Sequence, residues 1–319
     1  PSFSFESVII SVGNLNVGGS GKTPMIEYLV RLLKDRYSVA ILSRGYGRKT
    51  KGFRLATDAD DATTLGDEPY QYYRKFGREV MVAVGEERAL AIPTLLNEPK
   101  EPQVILLDDA FQHRSVVPQF SILLTDASKP FYSDHVLPMG RLRESRNGAK
   151  RADAIIITKC SPQQKLNEDE VKKYAGDKPV FFSGLTYMEP QPFQEGNTVA
   201  KRIVLVTGIA TSSYLQEYVS SHYQLVRHFQ FGDHHEYTLA DVETIQNFAR
   251  ANGTVSILTT EKDMVKLIAP QFESQMLPAL WFYLPIQTAF IKNGSEFDAM
   301  IGRLVESRLA ELKQNLLEE

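Results

Sequence analysis

Short apolar runs alternate with segments of helical periodicity along the first part of the chain. Between Met25 and Leu33, apolar residues recur at offsets of three and four, which predicts an amphipathic helix. Near-continuous apolar strands joined by helices are typical of a mainly parallel sheet covered by helices on both faces. Seven apolar runs predict buried strands, at 7–12, 39–42, 80–84, 104–107, 120–124, 154–158 and 180–182.

The pattern changes at 187–197, where Pro190, Pro192 and Gly196 lie among polar residues and indicate a linker. Alternation then resumes. Strands are predicted at 203–206, 224–227, 256–258 and 280–284, and helices at 214–220, 239–250 and 295–312. We therefore predict an α/β chain with a larger core domain at 1–188, a hinge at 189–200 and a smaller α/β lid domain at 201–319, which includes the C-terminal helix.

Composition excludes several classes of protein. A net charge of -3 over 319 residues is not that of a nucleic-acid-binding protein, which carries a basic face or stripe. Cys160 is the single cysteine, so an internal disulfide is excluded, which suits a reducing cytosol. No apolar run approaches the ~20 residues of a membrane-spanning helix. The chain begins with Pro1 rather than Met, and we expect that a segment before the first strand is missing.

A glycine-rich turn follows the first predicted strand and reads Gly-Asn-Leu-Asn-Val-Gly-Gly-Ser-Gly-Lys-Thr-Pro at 13–24. Such a turn points backbone N–H groups at phosphate oxygens, while Lys22 reaches the β and γ phosphates and Thr23 ligates Mg²⁺. Asn16 stands where the usual pattern has Gly. An ordinary strand-to-helix turn is the alternative, although the flanking strand and helix favour nucleotide binding. The predicted nucleotide-binding residues are Asn16, Val17, Gly18, Gly19, Ser20, Gly21, Lys22 and Thr23.

Two carboxylates, Asp108 and Asp109, follow the predicted strand at 104–107. An open α/β sheet binds ligands at the carboxyl ends of its strands. One of the two can therefore hold the Mg²⁺ of a bound nucleotide together with Thr23. The alternative interpretation is that the two acids simply start a surface turn. The presence of a phosphate loop makes this the weaker interpretation.

Other polar groups allow both functional and ordinary interpretations. Asp67 and Glu68 stand in Gly-Asp-Glu-Pro, which a helix start also explains. Arg143 could hold phosphate charge and Glu144 could orient it or assist a metal, although a surface salt bridge is equally consistent. The basic run 44–54 is either a solvated loop or a platform for an anionic substrate or membrane surface.

Asp233-His234-His235 in the second domain has three interpretations: a metal site, a proton-transfer histidine or a polar loop. The metal site is the weakest, because tight sites draw on several ligands and no matching acid or histidine cluster lies nearby in the sequence. Combined with a phosphate loop, this tripeptide favours proton transfer in a kinase.

Seven motifs in order resemble the series found in tetraacyldisaccharide 4'-kinase, the lipid A kinase of Gram-negative bacteria. They include Ser-Arg-Gly-Tyr-Gly-Arg, Asp-Asp-Ala-Phe-Gln-His and Thr-Thr-Glu-Lys-Asp. Their order and spacing run through nearly the whole chain, which makes the resemblance much stronger than any single motif would. The seven motifs lie at 13–24, 43–48, 66–69, 108–113, 137–144, 231–234 and 259–263.

The resemblance implies ATP- and Mg²⁺-dependent phosphorylation of the 4'-hydroxyl of a tetraacylated glucosamine disaccharide 1-phosphate, giving lipid IV-A in lipopolysaccharide biosynthesis. It also implies a peripheral protein at the cytoplasmic face of the inner membrane. Family members carry an N-terminal membrane-associated helix, which we expect to be absent from this chain, and we expect a monomer.

In the family an Asp and a His form a proton-transfer dyad, which falls here on Asp67 and His234. We expect Lys22 and Arg143 to act on the phosphates. Thr23, Asp108, Asp109, Glu68 and Glu144 are the candidate metal ligands.

The alternative function is that of a phosphate-loop GTPase or ATPase of the metallochaperone type. Thr158 and Lys159 follow a predicted strand, as the guanine-reading residues of some GTPases do, but the Asp of that motif does not follow. A nucleotide-sensing module without catalysis would need neither Asp67 nor His234.

Overall fold

The computed structural model describes residues 5–161 and 168–318. The chain forms two compact units: unit 1, Pro1–Thr186 with Gln287–Glu319, and unit 2, Tyr187–Ile286. The strands in the described residues are β1 (Val8–Asn14), β2 (Val39–Ser43), β3 (Arg54–Leu55), β4 (Met81–Val84), β5 (Val104–Asp108), β6 (Phe120–Asp126), β7 (Ala154–Thr158), β8 (Val180–Tyr187), β9 (Gln191–Pro192), β10 (Arg202–Thr207), β11 (Gln224–Gln230), β12 (Ser256–Thr260), β13 (Trp281–Leu284) and β14 (Ile286–Lys292).

The α-helices join these strands and cover the sheets. Those in the described residues are α1 (Lys22–Leu33), α2 (Ala62–Leu65), α3 (Asp67–Phe76), α4 (Arg88–Leu96), α5 (Glu168–Ala175), α6 (Ser213–His222), α7 (Leu239–Ala251), α8 (Glu261–Leu267) and α9 (Gly294–Glu318). All seven strands predicted for the first part of the chain are present, with bounds shifted by a few residues.

Unit 1 is built on one large sheet, whose described strands run in the order β14-β8-β7-β6-β1-β5-β2-β4-β3. The central strand β1 pairs in parallel with β5 on one side and with β6 on the other. The short strand β3 pairs with β4 in antiparallel direction. The carboxyl end of β1 therefore lies beside the carboxyl ends of β5 and β6, where ligands bind in such sheets.

Alternate residues of β1 enter two different cores, one on each face of the sheet. Val8, Ile10 and Val12 pack in a cluster with apolar residues of α1, α3 and α9. Ile9 packs in a second cluster with residues of β2, β5 and α4. The predicted α/β fold, a mainly parallel sheet with helices on both faces, is therefore confirmed.

Unit 2 has a smaller sheet, in which the described strands run in the order β11-β10-β12-β13-β9. β10, β11, β12 and β13 are parallel, and β9 is antiparallel to β13 at the edge. Trp281 is fully buried in the core between this sheet and α7. Gly208, which follows β10, lies at the carboxyl end of this parallel sheet.

The division of the chain differs from the predicted one at two places. The segment predicted as a linker supplies β9 to the sheet of unit 2, and its Pro192 lies on an edge strand, where a missing N–H is tolerated. The C-terminal segment predicted for the lid belongs instead to unit 1: β14 extends the large sheet beside β8, and α9 packs on its core. Local periodicity predicts a strand and a helix there but not the sheet that they join.

Helix α9 is long but amphipathic. Phe297, Ile301 and Val305 are buried in the core of unit 1, while Arg308 and Glu311 form an ion pair at 2.6 Å on the exposed side. Nowhere in residues 5–161 and 168–318 is a helix both long and apolar enough to cross a bilayer.

Candidate active site

The turn after β1 forms a cradle of backbone N–H groups at the start of α1. Gly18 and Gly21 have φ angles of 104° and 84°, in the left-handed region that glycine adopts without a steric penalty. Gly21 is the N-cap of α1, and the first helical turn carries no acidic residue. Val17 and Gly19 are exposed at the tip of the turn. An anion at this position would meet backbone N–H groups at the start of α1 and the positive end of the helix dipole.

Asn16 occupies the place where the usual phosphate-loop pattern has Gly. It is buried, forms an isolated antiparallel bridge with Leu142 and donates its side-chain amide to Asp134 Oδ2 at 3.0 Å. Its carbonyl accepts from Asn14 Nδ2 at 2.7 Å. The larger side chain thus fastens the loop to the segment 134–142 and leaves Gly18 and Gly21 to make the turn.

The end of β7 braces the same loop from another side. The Thr158 hydroxyl donates to the carbonyl of Ser20 at 2.8 Å. Lys159 donates to the carbonyl of Gly19 and forms an ion pair with Asp126 at 2.9 Å. The sequence singled out these two residues for base recognition and missed this bracing role, because the contact spans about 140 residues of chain.

Lys22, Asp109 and Arg143 come together at the mouth of the cradle. Lys22 Nζ lies 3.4 Å from Asn14 Oδ1 and 3.6 Å from Asp109 Oδ1. Arg143 donates to both carboxylate oxygens of Asp109 at 3.1 Å. Asp109 itself has a φ of 49°, which turns it out of the line of β5. Two cations that can neutralise phosphate charge therefore share one carboxylate in this structure.

Asp108 is buried at the end of β5 and keeps one oxygen unshared. Its Oδ2 accepts from the hydroxyls of Ser43 at 3.2 Å and Tyr72 at 3.3 Å, while Oδ1 has no hydrogen-bond partner among the described residues. Burial, followed by the charge of Asp109, raises the pKa of Asp108 to about 6. The Thr23 hydroxyl interacts with the same Tyr72. Tyr72, which the sequence analysis did not identify as a site residue, thus links the metal candidates Thr23 and Asp108, and Ser43 holds the same oxygen of Asp108.

This arrangement fits a magnesium ion. The buried Asp108 oxygen without a donor and the Thr23 hydroxyl, which contact Tyr72 through their residues, are the kinds of oxygen ligand that Mg²⁺ takes, and Mg²⁺ usually binds through one or two carboxylates and substrate phosphates. Within the described parts of the chain, no group of three or more His, Cys, Asp and Glu side chains could hold a metal by itself. The donor set therefore suits a metal that arrives with a nucleotide.

Arg88 supports the turn that carries both carboxylates. It is almost fully buried, and its guanidinium donates to the carbonyl of Gly85 and, at 3.3 Å, to the carbonyl of Asp108. Burial lowers the pKa of Arg88 to about 10, and Asp108 partly opposes this effect. Sequence reasoning missed this residue, because a lone Arg at a helix start gives no signal of its distant partner.

Asp67 and Glu68 form the first turn of α3 and are half-buried. Gly66 caps the helix with a φ of 95°, and a Cβ there would lie 2.9 Å from the carbonyl oxygen of Tyr46. The charge of Glu68 acts on Asp108, whose pKa it helps to raise, and Tyr72 lies one turn further along the same helix face. The start of α3 is therefore placed beside the phosphate loop and the end of β5.

Glu144 lies in an ion-pair network. Its carboxylate accepts from Arg151 at 2.6 Å, from Gln112 at 3.2 Å and from Arg114 at 3.4 Å. Gln112 also donates to the carbonyl of Asn14 at 2.8 Å, so the network reaches the end of β1. These contacts correspond to the salt-bridge interpretation of Glu144, and its role as a metal ligand stays a prediction.

His234 lies in unit 2, in the loop between β11 and α7. Its φ is 57°, and its N–H donates to the carbonyl of Gly208 at 3.2 Å. Its ring nitrogen Nε2 accepts from Lys262 at 3.1 Å. Asp67 belongs to unit 1 and His234 to unit 2, so their pairing stays a prediction.

Sequence comparison identifies a family for the chain. The model of the family described as "Tetraacyldisaccharide-1-P 4'-kinase", LpxK, matches residues 1–306. A tetraacyldisaccharide 4'-kinase of Flavobacterium johnsoniae is 42% identical over 317 residues, which are 97% of this chain and 90% of the relative. One of Cytophaga hutchinsonii is 38% identical over 320 residues, with 98% and 91% covered.

Structural comparison gives the same family. A crystal structure of LpxK from Aquifex aeolicus in complex with ATP aligns with a TM-score of 0.72 at 28% sequence identity, covering 95% of this chain and 90% of that one. These relatives support the kinase and not the metallochaperone alternative. With a family match over most of its length and a phosphate loop beside a buried carboxylate, the chain belongs to the tetraacyldisaccharide-1-P 4'-kinase family.

Proposed function

We propose that the chain transfers the γ-phosphoryl group of ATP to the 4'-hydroxyl of a tetraacylated glucosamine disaccharide 1-phosphate, giving lipid IV-A in lipid A biosynthesis. The observation that carries this proposal is the unshared oxygen of buried Asp108, whose partner Tyr72 also contacts Thr23 of the phosphate loop. The relatives named as tetraacyldisaccharide 4'-kinases and the ATP complex of the Aquifex aeolicus protein support it.

The backbone of the loop 18–23 binds the phosphates of ATP. Lys22 leaves its contact with Asp109 to reach the transferred group, and Arg143 adds a bidentate donor. Phosphoryl transfer has a loose transition state, so positioning and charge neutralisation supply most of the rate acceleration. Both cations therefore act on the charge that builds up on the transferred oxygens.

Thr23 and Asp108 would hold Mg²⁺, which when bound neutralises charge on the β and γ phosphates. Asp109 is the weaker candidate ligand, because its two oxygens are engaged with Lys22 and Arg143. Ser43 and Tyr72 hold Asp108 Oδ2 and leave Oδ1 to the metal. Glu68 acts through its charge, which favours a bound cation.

The Asp67 carboxylate accepts the proton of the attacking hydroxyl and passes it to His234. The new bond joins the sugar oxygen to phosphorus, the bond between phosphorus and the β–γ bridging oxygen breaks, and ADP leaves with that electron pair. A free Asp, with a pKa of about 3.9, holds a proton poorly. A histidine partner therefore gives the proton a more stable acceptor, and the proposal requires His234 to be within reach of Asp67 during the reaction.

The acceptor is presented by the cytoplasmic face of the inner membrane, where the protein acts peripherally as a monomer. The basic loop 44–51 lines a cavity of about 340 Å³ with Glu86. Its Tyr46 side chain is 73% exposed, and Lys49 and Lys51 are exposed beside it. Such a surface suits binding to anionic lipid headgroups, with the tyrosine ring at the boundary between headgroups and acyl chains.

The test is the substitution Asp67→Asn in an assay that counts ADP and phosphorylated lipid together. We expect kcat to fall by roughly 10²- to 10⁴-fold, because a general base is lost, while the Kd for ATP changes little. Asp177→Asn, at an exposed turn of unit 1, is the matched control and should keep full activity.

Two results would contradict the proposal in different ways. An Asp67→Asn variant with the parent kcat would remove Asp67 from the reaction. ADP formation that is not matched by phosphorylated lipid, in the parent protein supplied with the acylated disaccharide, would point to a nucleotide hydrolase instead of the kinase.

A further inference from the structure

Lys262, in the first turn of α8, contacts the ring of His234. Its Nζ lies 3.1 Å from His234 Nε2. A lysine ammonium has three donors and no acceptor, so Nε2 must present its lone pair to Lys262. A neutral imidazole then carries its proton on Nδ1. The contact therefore selects one of the two tautomers of His234.

The same helix fixes the backbone of the histidine loop. Asp263 is fully buried and accepts from the N–H of Gly208 at 2.9 Å, and the carbonyl of Gly208 accepts from the N–H of His234 at 3.2 Å. Lys266, one turn later, donates to the carbonyl of His235 at 3.1 Å. Helix α8 thus holds the loop from the backbone side and through the ring of His234.

Within unit 2, the loop of His234 and helix α8 both place charged groups near its ring. Asp233 Oδ2 lies 4.0 Å from His234 Nε2, and Asp233 Oδ1 lies 3.6 Å from Lys262 Nζ. Asp263 and Lys266 pair with each other at 3.4 Å, and the neighbouring His235 contacts Asp241 at 3.2 Å. Lys262 thus contacts the His234 ring directly, and Asp233 lies near both side chains.

We propose that Lys262 is a positioning residue for the phosphoryl-transfer reaction: it orients the Nε2 lone pair of His234 by donating to it, and this hydrogen bond breaks when Nε2 takes the proton from Asp67. The inference rests on the proton-transfer role proposed for His234. It also gives a purpose to the Thr-Thr-Glu-Lys-Asp motif, which no step of the proposed mechanism uses. Thr260 caps α8 by accepting from the N–H of Asp263 at 3.0 Å, and so fixes the turn that carries Lys262.

The experiment compares Lys262→Met, Lys262→Arg and Lys201→Met in the full chain. We expect Lys262→Met to lower kcat by roughly ten- to a hundredfold, because a misplaced catalytic group costs about that much, while KM for ATP stays within twofold. Lys262→Arg retains a cationic donor and should recover most of kcat. Lys201, an exposed lysine just before β10, is the matched control and should leave kcat unchanged.

A spectroscopic readout separates the positioning role from a general loss of stability. Ring ¹⁵N NMR at alkaline pH, with the His234 signal assigned by its loss in His234→Ala, should show the Nδ1–H tautomer in the parent protein. In Lys262→Met it should show a mixture of the two tautomers. An unchanged tautomer in Lys262→Met would overturn the proposal, whatever the kinetics.

The His234→Ala background distinguishes failure of this inference from failure of the proposed mechanism. If Lys262 acts through His234, adding Lys262→Met to His234→Ala should lower kcat no further. A further fall of tenfold or more in the double variant would overturn the inference. Parent-like kcat in His234→Ala alone would instead overturn the proton-transfer role itself.

Discussion

The two candidate reacting regions are held in place in different ways. Asp108 is 5% exposed at the end of a central parallel strand, between hydroxyls of β2 and α3. The His234 side chain is 38% exposed on a loop with a left-handed residue, held by polar contacts with Gly208 and Lys262. Strand geometry fixes the first group, and tertiary polar contacts fix the second.

This difference matters for chemistry. Burial raises the pKa of Asp108, and one of its oxygens has no hydrogen-bond donor among the described residues. A bound cation would offset the cost of burying this negative charge. The contacts of His234 instead fix a tautomer and an orientation. The phosphate side of the proposed reaction is therefore preorganised by the sheet, whereas the proton side depends on a few side-chain contacts that single substitutions can remove.

The largest effect is expected at Asp108. Asp108→Asn removes the proposed metal ligand but keeps the size of the side chain and an acceptor for Ser43 and Tyr72. We expect kcat/KM to fall by roughly 10³-fold, equivalent to ~4 kcal/mol of transition-state stabilisation. Steady-state kinetics over a range of Mg²⁺ concentrations measures it. Activity within tenfold of the parent would exclude Asp108 as the principal ligand.

The same substitution should make the metal-free protein more stable. Since the pKa of Asp108 is about 6 in the native state and about 3.9 when unfolded, the native state binds the proton more tightly. The free energy of unfolding therefore falls as the pH rises from about 4 to 6. Asp108→Asn is not subject to this loss, so it should be more stable than the parent by ~3 kcal/mol well above pH 6 and equally stable below pH 4.

Asp126→Asn is the matched control, and we expect it to lower the free energy of unfolding above pH 4 where Asp108→Asn raises it. Burial alone would raise the pKa of Asp126, but Lys159 and Ser128 outweigh burial and leave that pKa lowered. Its carboxylate therefore stabilises the native state above pH 4, and this contribution is lost as the pH falls through the lowered native pKa. Urea unfolding of both variants between about pH 4 and 8 compares them. Parallel pH dependences would contradict the assignment.

The parts of this site that the sequence predicted are those set by local pattern. A glycine-rich turn between an apolar strand and a helix identifies the phosphate loop, and two acids after an apolar run identify Asp108 and Asp109. Their proximity follows from the parallel sheet, because carboxyl ends of neighbouring strands meet at one edge. Lys22, Asp109 and Arg143 are brought together as this argument requires.

The remaining parts depend on contacts between residues far apart in the chain. In the sequence, Tyr72 is one of several aromatic residues of α3, and Lys262 is one of several charged residues at a helix start. Only the fold shows that Tyr72 contacts Asp108 and that Lys262 contacts His234. The placement of β14 and α9 in unit 1 also depends on contacts with residues far away in the sequence. Apolar spacing shows that a helix buries one face, but the choice between two sheets depends on which core offers a complementary surface.

A further stability measurement tests the assignment of α9 to unit 1. Phe297 is fully buried, and its ring lies 5.2 Å from that of Phe181 and 4.8 Å from that of Phe290. Phe297→Ala should therefore destabilise unit 1 by ~3 kcal/mol. Arg303→Ala, on the exposed side of α9, should change stability by less than ~0.5 kcal/mol.

The chain offers a local probe for this measurement. Trp281, its only tryptophan, is buried in unit 2, so its fluorescence reports on that unit, while circular dichroism follows both. We expect Phe297→Ala to shift the circular-dichroism transition to lower temperature more than the fluorescence transition. A fluorescence transition that falls by at least as much would contradict the placement of α9 in unit 1.

The smallest effect is expected at Lys159, which supports the phosphate loop but has no proposed role in the chemistry. Lys159→Met removes the contact with Gly19 and the ion pair with Asp126, and frees the loop tip to sample conformations that do not bind phosphate. We expect KM for ATP to rise about fivefold, which corresponds to ~1 kcal/mol, with kcat nearly constant, because the contact supports binding and transition state alike. Lys129→Met, at an exposed position in the loop after β6, is the control. A fall in kcat larger than the rise in KM would mean that Lys159 acts on the transferred phosphoryl group itself.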